Sequence, residues 1–361
     1  MIHKILSSLD NNSKGDTFAV IASMIDWKQA FNRQDPTLGI ESFLKNGVRP
    51  ALIPMLINYF QGRKGYVKWK NIYSEVKDIY GGGPQGGILG ILEYLSQSND
   101  NVDMIDPEEK FKFVDDLTLL EIVNLLIIGL SSFNIKSSVP SDIPVHNGFI
   151  PSEHLKTQEY LNQITEWTAR KKMKLNTNKT KVMIFNYTNN YQFTSRITMD
   201  MTDIEIVENT KLLGTHITND LKWDLNTKHI IKKANARMQL LWKVASFGAS
   251  ISDMKDIYKI FVRSSLEYSS SVWHRSLTED NKSDLERIQK SALRIILGNK
   301  YQSYEEALGL LDLETLTNRR EILFRKFAEK CLQVKQMKTI IMKHEKIHPM
   351  TLRKTEEYKV S

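Results

Sequence analysis

Two adjacent carboxylates set between two apolar runs constrain this chain more than any other feature: Lys112-Phe113-Val114-Asp115-Asp116-Leu117-Thr118-Leu119. The pattern predicts a tight β-hairpin with the acids at or next to its turn. Along one extended strand neighbouring side chains point to opposite faces, so two adjacent Asp could not share an ion there. At a turn they can lie close, and paired oxygen ligands suit Mg²⁺, which takes one or two carboxylates plus substrate phosphates. A chain of this length holds about one Asp-Asp pair by chance, so the pair gains meaning only from the residues around it.

At 361 residues there is room for two or three domains and a sizeable core. The net charge of +8 is unevenly placed: residues 1–140 carry 14 Lys+Arg against 16 Asp+Glu, and residues 141–361 carry 36 against 26. A basic C-terminal half suits a polyanionic partner, and equally a plain solvated surface. The single Cys331 excludes internal disulfides and a Cys-rich zinc site. Met1–Leu9 runs at once into Asp10-Asn11-Asn12, which is no signal-peptide core. The most apolar stretch, Leu117–Leu130, is interrupted by Glu121 and Asn124 and is too short to span a bilayer. The expectation is a soluble, intracellular protein without a membrane partner.

Thr17–Ile25 is rich in strand formers and predicts a buried strand that presents Asp26 at its C-terminal end. Asp35-Pro36 reads as N-cap and first helical residue. Leu38 and Phe43, then Leu52, Leu56, Ile57 and Phe60, predict two helices parted near Gly47–Pro50, and Gly65–Tyr80 alternates like a hairpin. Gly81-Gly82-Gly83-Pro84-Gln85-Gly86-Gly87 is a loop feeding a helix with Ile88, Ile91, Leu92 and Leu95 in register. Such a loop lets backbone N–H groups approach an anion or a base pair, although a lone glycine run is more often a plain turn. Residues 132–152, with three Pro and several Ser, read as a surface loop, and Glu153–Met173 as an amphipathic helix with Leu155, Leu161, Ile164 and Trp167 inward. Leu175–Lys181 leads into the strand Val182–Phe185.

From about residue 225 the periodicity is helical: Ile231, Ala234, Met238, Leu241 and Ala245 step by three and four, as do Leu285, Ile288, Ala292 and Ile295, with Gly248 and Gly298 at C-cap positions. The predicted class is α+β over residues 1–222, an all-α region over 223–332, and a Lys-rich tail over 333–361 that frays.

Taken in order, these pieces resemble the reverse transcriptases of non-LTR, LINE-type retrotransposons, from about residue 17 to about residue 330. Ile25-Asp26-Trp27-Lys28-Gln29-Ala30-Phe31 is similar to the first palm motif, an Asp followed five positions later by an aromatic. Gly83-Pro84-Gln85-Gly86 matches the Pro-Gln-Gly core of the second, and Phe113-Val114-Asp115-Asp116 the aromatic-x-Asp-Asp box of the third. Leu175-Asn176 through Lys179-Thr180-Lys181 and Phe185 resembles the fourth, and Leu212-Leu213-Gly214 the fifth. Arg263–Tyr268, Val272-Trp273 and Leu285–Lys290 look like the helical region that follows such polymerases. Each motif alone is weak; five in sequence at sensible spacing are not.

The resemblance implies a right-hand polymerase palm, an antiparallel sheet with packed helices, followed by an all-α thumb. It implies two divalent ions, Mg²⁺ with Mn²⁺ as a substitute, held by Asp26 and Asp115 with Asp116 supporting the site. Gln85, beside Gly86, would contact the incoming nucleotide or template, and Lys179 or Lys181 would neutralise or protonate the leaving pyrophosphate; the alternative for these lysines is a solvated turn. Phe31 would fill the space of a ribose 2′-hydroxyl, favouring DNA over RNA synthesis, whereas outside that context it is a core residue at a helix start. Leu213, Gly214, Lys232, Lys233 and Arg237 would touch nucleic acid. The implied partners are an RNA template, a DNA primer and dNTPs, and the implied compartment is the nucleus. Only about 25 residues precede Asp26 where the family carries a fingers segment, Asn32 stands where a second Asp is common, and Gly87 and Gly90 stand where Ser and others are common. The chain therefore reads as the palm and thumb of a longer polyprotein, with a non-catalytic nucleic-acid-binding remnant as the alternative.

Overall fold

The computed structural model describes residues 1–10, 18–84, 86–100, 102–124, 148–149, 155–186, 191–192 and 196–334. Most of the expected 132–152 loop and of the 333–361 tail lies outside the described residues. The described residues form two compact units, Met1–Glu208 and a second that begins at Asn209.

In the first unit the elements are α1 (Ile2–Asp10), β1 (Phe18–Ile25), α2 (Pro36–Lys45), α3 (Ile53–Phe60), α4 (Ile88–Ser98), β2 (Lys110–Phe113), β3 (Asp116–Asn124), α5 (Lys156–Arg170), β4 (Lys181–Phe185) and β5 (Glu205–Ile206). The sheet order is β5-β4-β1-β3-β2. Strand β1 has no charged residue and lies at the centre, antiparallel to both β3 and β4. Its Ala19, Val20 and Ile21 are fully buried, the pattern of a strand covered on both faces. Only the edge departs from the expected antiparallel sheet: β5 runs parallel to β4, so the sheet is mixed.

Helix α5 covers the sheet with Leu161, Ile164 and Trp167, which share one core cluster with Ile21, Leu117, Leu119 and Val182. Its N-terminus has no local side-chain cap. Instead the buried Glu121 of β3 accepts from Lys156 N at 2.9 Å, Thr157 N at 2.7 Å and Thr157 Oγ1 at 2.6 Å. A strand carboxylate thereby satisfies the orphan amides of a helix start and binds helix to sheet. Helix α2 begins as its sequence demands, with Asp35 Oδ1 accepting from Thr37 N and Leu38 N. The 65–80 hairpin forms as two nested ladders, Arg63–Gly65 on Lys77–Ile79 and Lys68–Trp69 on Ile72–Tyr73.

In the second unit, a hairpin of β6 (Asn209–Leu212) and β7 (Thr215–Thr218) precedes α6 (Asp224–Ser246), α7 (Ile251–Ile257), a π-helical turn at Tyr258–Arg263, α8 (Glu279–Leu297), α9 (Tyr304–Leu311) and α10 (Leu316–Gln333). Ile230, Ala234, Met238 and Leu241 bury one face of α6, and Leu285, Ile288, Ala292 and Ile296 one face of α8. Four helices start on hydroxyl caps: Ser250, Thr278, Ser303 and Thr315 each accept from a backbone N–H three residues on.

Candidate active site

Strand β1 ends at Ile25, and Asp26 is the next residue. The segment after it is held by a second stretch far along the chain. Trp27 bridges Leu175 as an antiparallel pair, Lys28 N donates to Lys174 O at 2.7 Å, and Asn176 N donates to Asp26 O at 2.9 Å. The Trp27 indole N–H donates to Thr168 Oγ1 on α5 at 3.3 Å. The acid itself receives Asn176 Nδ2 on its Oδ2 at 2.7 Å, and its backbone N–H donates to Thr180 Oγ1 at 3.2 Å. Asn176 and Thr180 thus orient Asp26. Both lie in the segment that resembles the fourth motif, beside the candidate lysines Lys179 and Lys181.

The acidic hairpin forms as the flanking apolar runs require. Phe113 pairs with Asp116, leaving Val114 and Asp115 as a two-residue turn. Val114 has φ 57°, a left-handed conformation that a β-branched residue adopts only under strain. On the other side of β3 the register pairs Ile25 with Leu117, so Asp26 and Asp116 come next across the ladder, at the same end of two neighbouring strands. The electrostatics agree. Asp116 is pushed above the usual carboxylate range by partial burial and then by the charges of Asp115 and Asp26. Tyr94 of α4, 1 % exposed, is raised by burial and then by Asp115, Asp116 and Asp26. None of the three Asp forms an ion pair among the described residues. Nor, among those residues, does any group of three or more His, Cys, Asp or Glu converge closely enough to hold a metal ion.

Phe31 lies on the short turn Ala30–Arg33, half-buried against the main core, with its ring centroid 4.6 Å from that of Tyr94. Its carbonyl accepts from Gly83 N at 2.9 Å, which attaches the glycine-rich segment to the segment after Asp26. Gly86 is exposed with φ 91°, while Gln85 lies outside the described residues. The two candidate lysines differ. Lys181, on β4, is ion-paired with Glu205. Lys179 is exposed in the turn after Asn176 and has no acidic partner among the described ion pairs.

In the second unit Leu213 and Gly214 form the β6–β7 turn, both with positive φ, as a two-residue turn of this twist requires. Tyr268 OH donates to Leu213 O at 2.7 Å, and a Cβ at Gly214 would meet the Tyr268 ring at 3.1 Å. The turn is therefore clamped by a tyrosine. Lys232 lines a groove of about 560 Å³ between α6 and α8, together with Lys228, Ile231, Arg287 and Ile288. Lys233 is exposed, and Arg237 donates from Nη1 to Phe261 O at 2.5 Å, a contact within the helical unit.

No protein-family model and no curated protein sequence matches the chain. Among solved structures it is similar to the telomerase of Candida albicans in complex with a fragment of telomeric RNA, at 11% identity and a TM-score of 0.38, over 87% of this chain and 54% of that one. Apo telomerase of Candida tropicalis gives 14% identity and a TM-score of 0.39, over 86% of this chain and 49% of that one. The same enzyme with telomeric RNA gives 12% and 0.37, over 96% and 52%. The chain spans about half the length of these structures. Likeness at this level identifies no function.

Proposed function

We propose that the first unit is the palm of an RNA-directed DNA polymerase of the non-LTR retrotransposon type, and the second its helical thumb. The observation that carries this reading is the register of β1 against β3, which brings Asp26 and Asp116 to one sheet end beside the Val114-Asp115 turn. Three carboxylates without an ion pair among the described residues are of the chemistry that suits hard divalent cations such as Mg²⁺ or Mn²⁺, and holding one would require them to draw closer than they stand. Asp26 and Asp115 would hold them, with Asp116 in support. The chemistry such ions would supply there is a lowered pKa for a primer 3′-hydroxyl and neutralisation of a triphosphate.

The chain's own residues do the positioning. Asn176 and Thr180 fix Asp26 so that its remaining oxygen is free for a ligand. Phe31 restricts the sugar from the Tyr94 side. Lys179, which has no acidic partner among the described residues, neutralises or protonates the pyrophosphate that leaves as the hydroxyl oxygen bonds to the α-phosphorus. The fit of RNA template and DNA primer to the basic groove of the second unit is an electrostatic, sequence-independent one.

Primer extension on a homopolymer RNA with Mg²⁺ or Mn²⁺ tests the reading, with Asp115→Asn as the control. Incorporation of dNTPs by the wild type alone supports it. One observation favours a second reading: among the described residues, the acids are not gathered into a ready metal cluster. Salt-dependent duplex binding with no extension under either ion would make the chain a nucleic-acid-binding remnant of such an element.

A further inference from the structure

Gly81, Gly82 and Gly83 of the glycine-rich segment are held from beneath by Phe31, Gln34 and Arg63. Gly82 N donates to Gln34 O at 2.8 Å and Gly83 N to Phe31 O at 2.9 Å. Arg63 Nη2 donates to Gly81 O at 3.3 Å and also to Gly82 O. Under this segment lies Glu93 of α4, with 0 % of its surface exposed. Neither of its carboxyl oxygens has a hydrogen-bond partner among the described residues. The same holds for both ends of the Gln34 amide, itself 1 % exposed.

The glycines show how tightly these groups are packed. A Cβ at Gly83 would lie 2.1 Å from Gln34 Oε1 and 3.2 Å from Glu93 Oε2, so the two side chains end against one backbone atom. A Cβ at Gly39 of α2 would lie 2.6 Å from Glu93 Oε1. Glu93 therefore occupies a slot walled by two glycines, and an orphaned carboxyl there costs free energy unless something satisfies it. The charged groups that face it are Arg63, just beyond α3, and Asp35, the cap of α2, which is ion-paired to Lys172. Gln97, one turn further along α4, adds a buried, unpartnered Oε1. Burial outweighs the attraction of Arg63 and pushes the Glu93 carboxyl from the usual 4.5 to about 7.

An amide oxygen and a carboxylate oxygen are both acceptors and cannot bond one another, whereas a protonated carboxyl supplies a donor. We propose that Glu93 is a positioning residue: as the neutral acid it donates to the Gln34 amide oxygen and locks the glycine-rich segment onto the Phe31–Gln34 turn, and its ionisation releases that lock. Through Phe31 the lock bears on the proposed nucleotide site, so its consequence for catalysis rests on that reading; the lock itself does not. The sign follows from the raised folded-state value. The lock is at full strength below about 4.5, weakens as pH rises toward about 7, and loses no more above it.

Hydrogen exchange of the full chain at pH 5 and pH 8, corrected for intrinsic rates, tests this. Protection of the Gly82 and Gly83 amides should fall at least about tenfold between those pH values, while strand β1 keeps its protection. Glu93→Gln, equal in shape and permanently neutral, should hold its pH 5 protection at pH 8. Wild-type protection that does not change with pH, or an equal fall in Glu93→Gln, overturns the proposal. Should that variant not fold, the carboxyl titration of Glu93 in the wild type decides: a midpoint near 7 supports the lock, and one below about 5 sinks it. Failure of primer extension would leave these results untouched.

Discussion

The two units place their acidic side chains differently. In the helical unit, buried polar side chains are gathered into hydrogen-bond networks, although Glu286 Oε2, Arg263 Nε and Arg320 Nη1 have no hydrogen-bond partner among the described residues. Glu286 accepts from Leu316 N at 2.9 Å and from Tyr304 OH, and Gln289 donates to Tyr304 OH at 2.9 Å and Glu314 O at 2.8 Å while Tyr258 OH donates to its Oε1. Glu267 holds Arg319 at 3.1 Å and Arg263 at 3.6 Å, and the fully buried Arg320 donates to His274 Nδ1 at 3.3 Å. At the end of the sheet, Asp115 and Asp116 are exposed and Asp26 is half-buried, none of the three is ion-paired among the described residues, and the buried Tyr94 and the left-handed Val114 lie near them. A matched network specifies a structure. Uncompensated like charge weakens the fold and is retained at sites that act on a ligand.

Several substitutions would break or sharpen that contrast. The largest effect is expected from Asp115→Asn and Asp116→Asn, each lowering primer extension on the order of a thousandfold or more. Residual extension near the wild-type rate would sink the role of the pair. Next comes Glu286→Ala in the helical unit, which strands Tyr304 OH and Leu316 N inside the fold. It should destabilise the protein by about 3 kcal/mol in urea unfolding; an unchanged midpoint would mean the network is idle. Phe31→Ala should raise ribonucleotide incorporation by about tenfold in competition with dNTPs. Unchanged sugar selectivity would leave Phe31 as a core residue packed on Tyr94.

The smallest effect has the most telling sign. Because Asp116 is raised by burial and by its acidic neighbours, its ionisation opposes folding. A raised folded value means stability present at low pH and lost as pH climbs through the carboxylate range. Asp116→Asn should therefore leave the protein equally stable or more stable at neutral pH, by roughly 0.5 kcal/mol, even as extension is abolished. A clear loss of stability would mean that the acid is structural after all.

Local order was readable in advance. The acidic hairpin, the strand ending at Asp26, the Asp35 cap and the C-terminal helices follow from residue type and period, because each is decided within a few residues. Helix α4 shows where that reasoning stops. Its apolar period places the helix correctly, yet Ile88, Ile91, Leu92 and Leu95 face outward, Ile88 at 78% exposure, while Glu93, Gln97 and Ser98 are buried with Tyr94. A period states that a helix has two faces and is silent on which one packs. Here Gly90 decides: a Cβ there would lie 2.2 Å from Pro84 O, so only glycine lets that side of the helix close on the loop. The helper residues Asn176 and Thr180 were likewise invisible, since their partner stands some 150 residues earlier in the chain.

By itself the sequence determined where many strands, turns and helices begin, and that Asp26 follows a strand while Asp115 and Asp116 sit at a hairpin turn, because such choices are made by short-range sterics and side-chain period. Only the tertiary structure decided that Asp26 stands beside Asp116, that Asn176 orients it, and that Lys181 is drawn to Glu205 while Lys179 is not. The physical reason is strand register: shifting β1 by one residue would send every side chain to the opposite face, and it is the burial of both faces of β1 that holds the register in place.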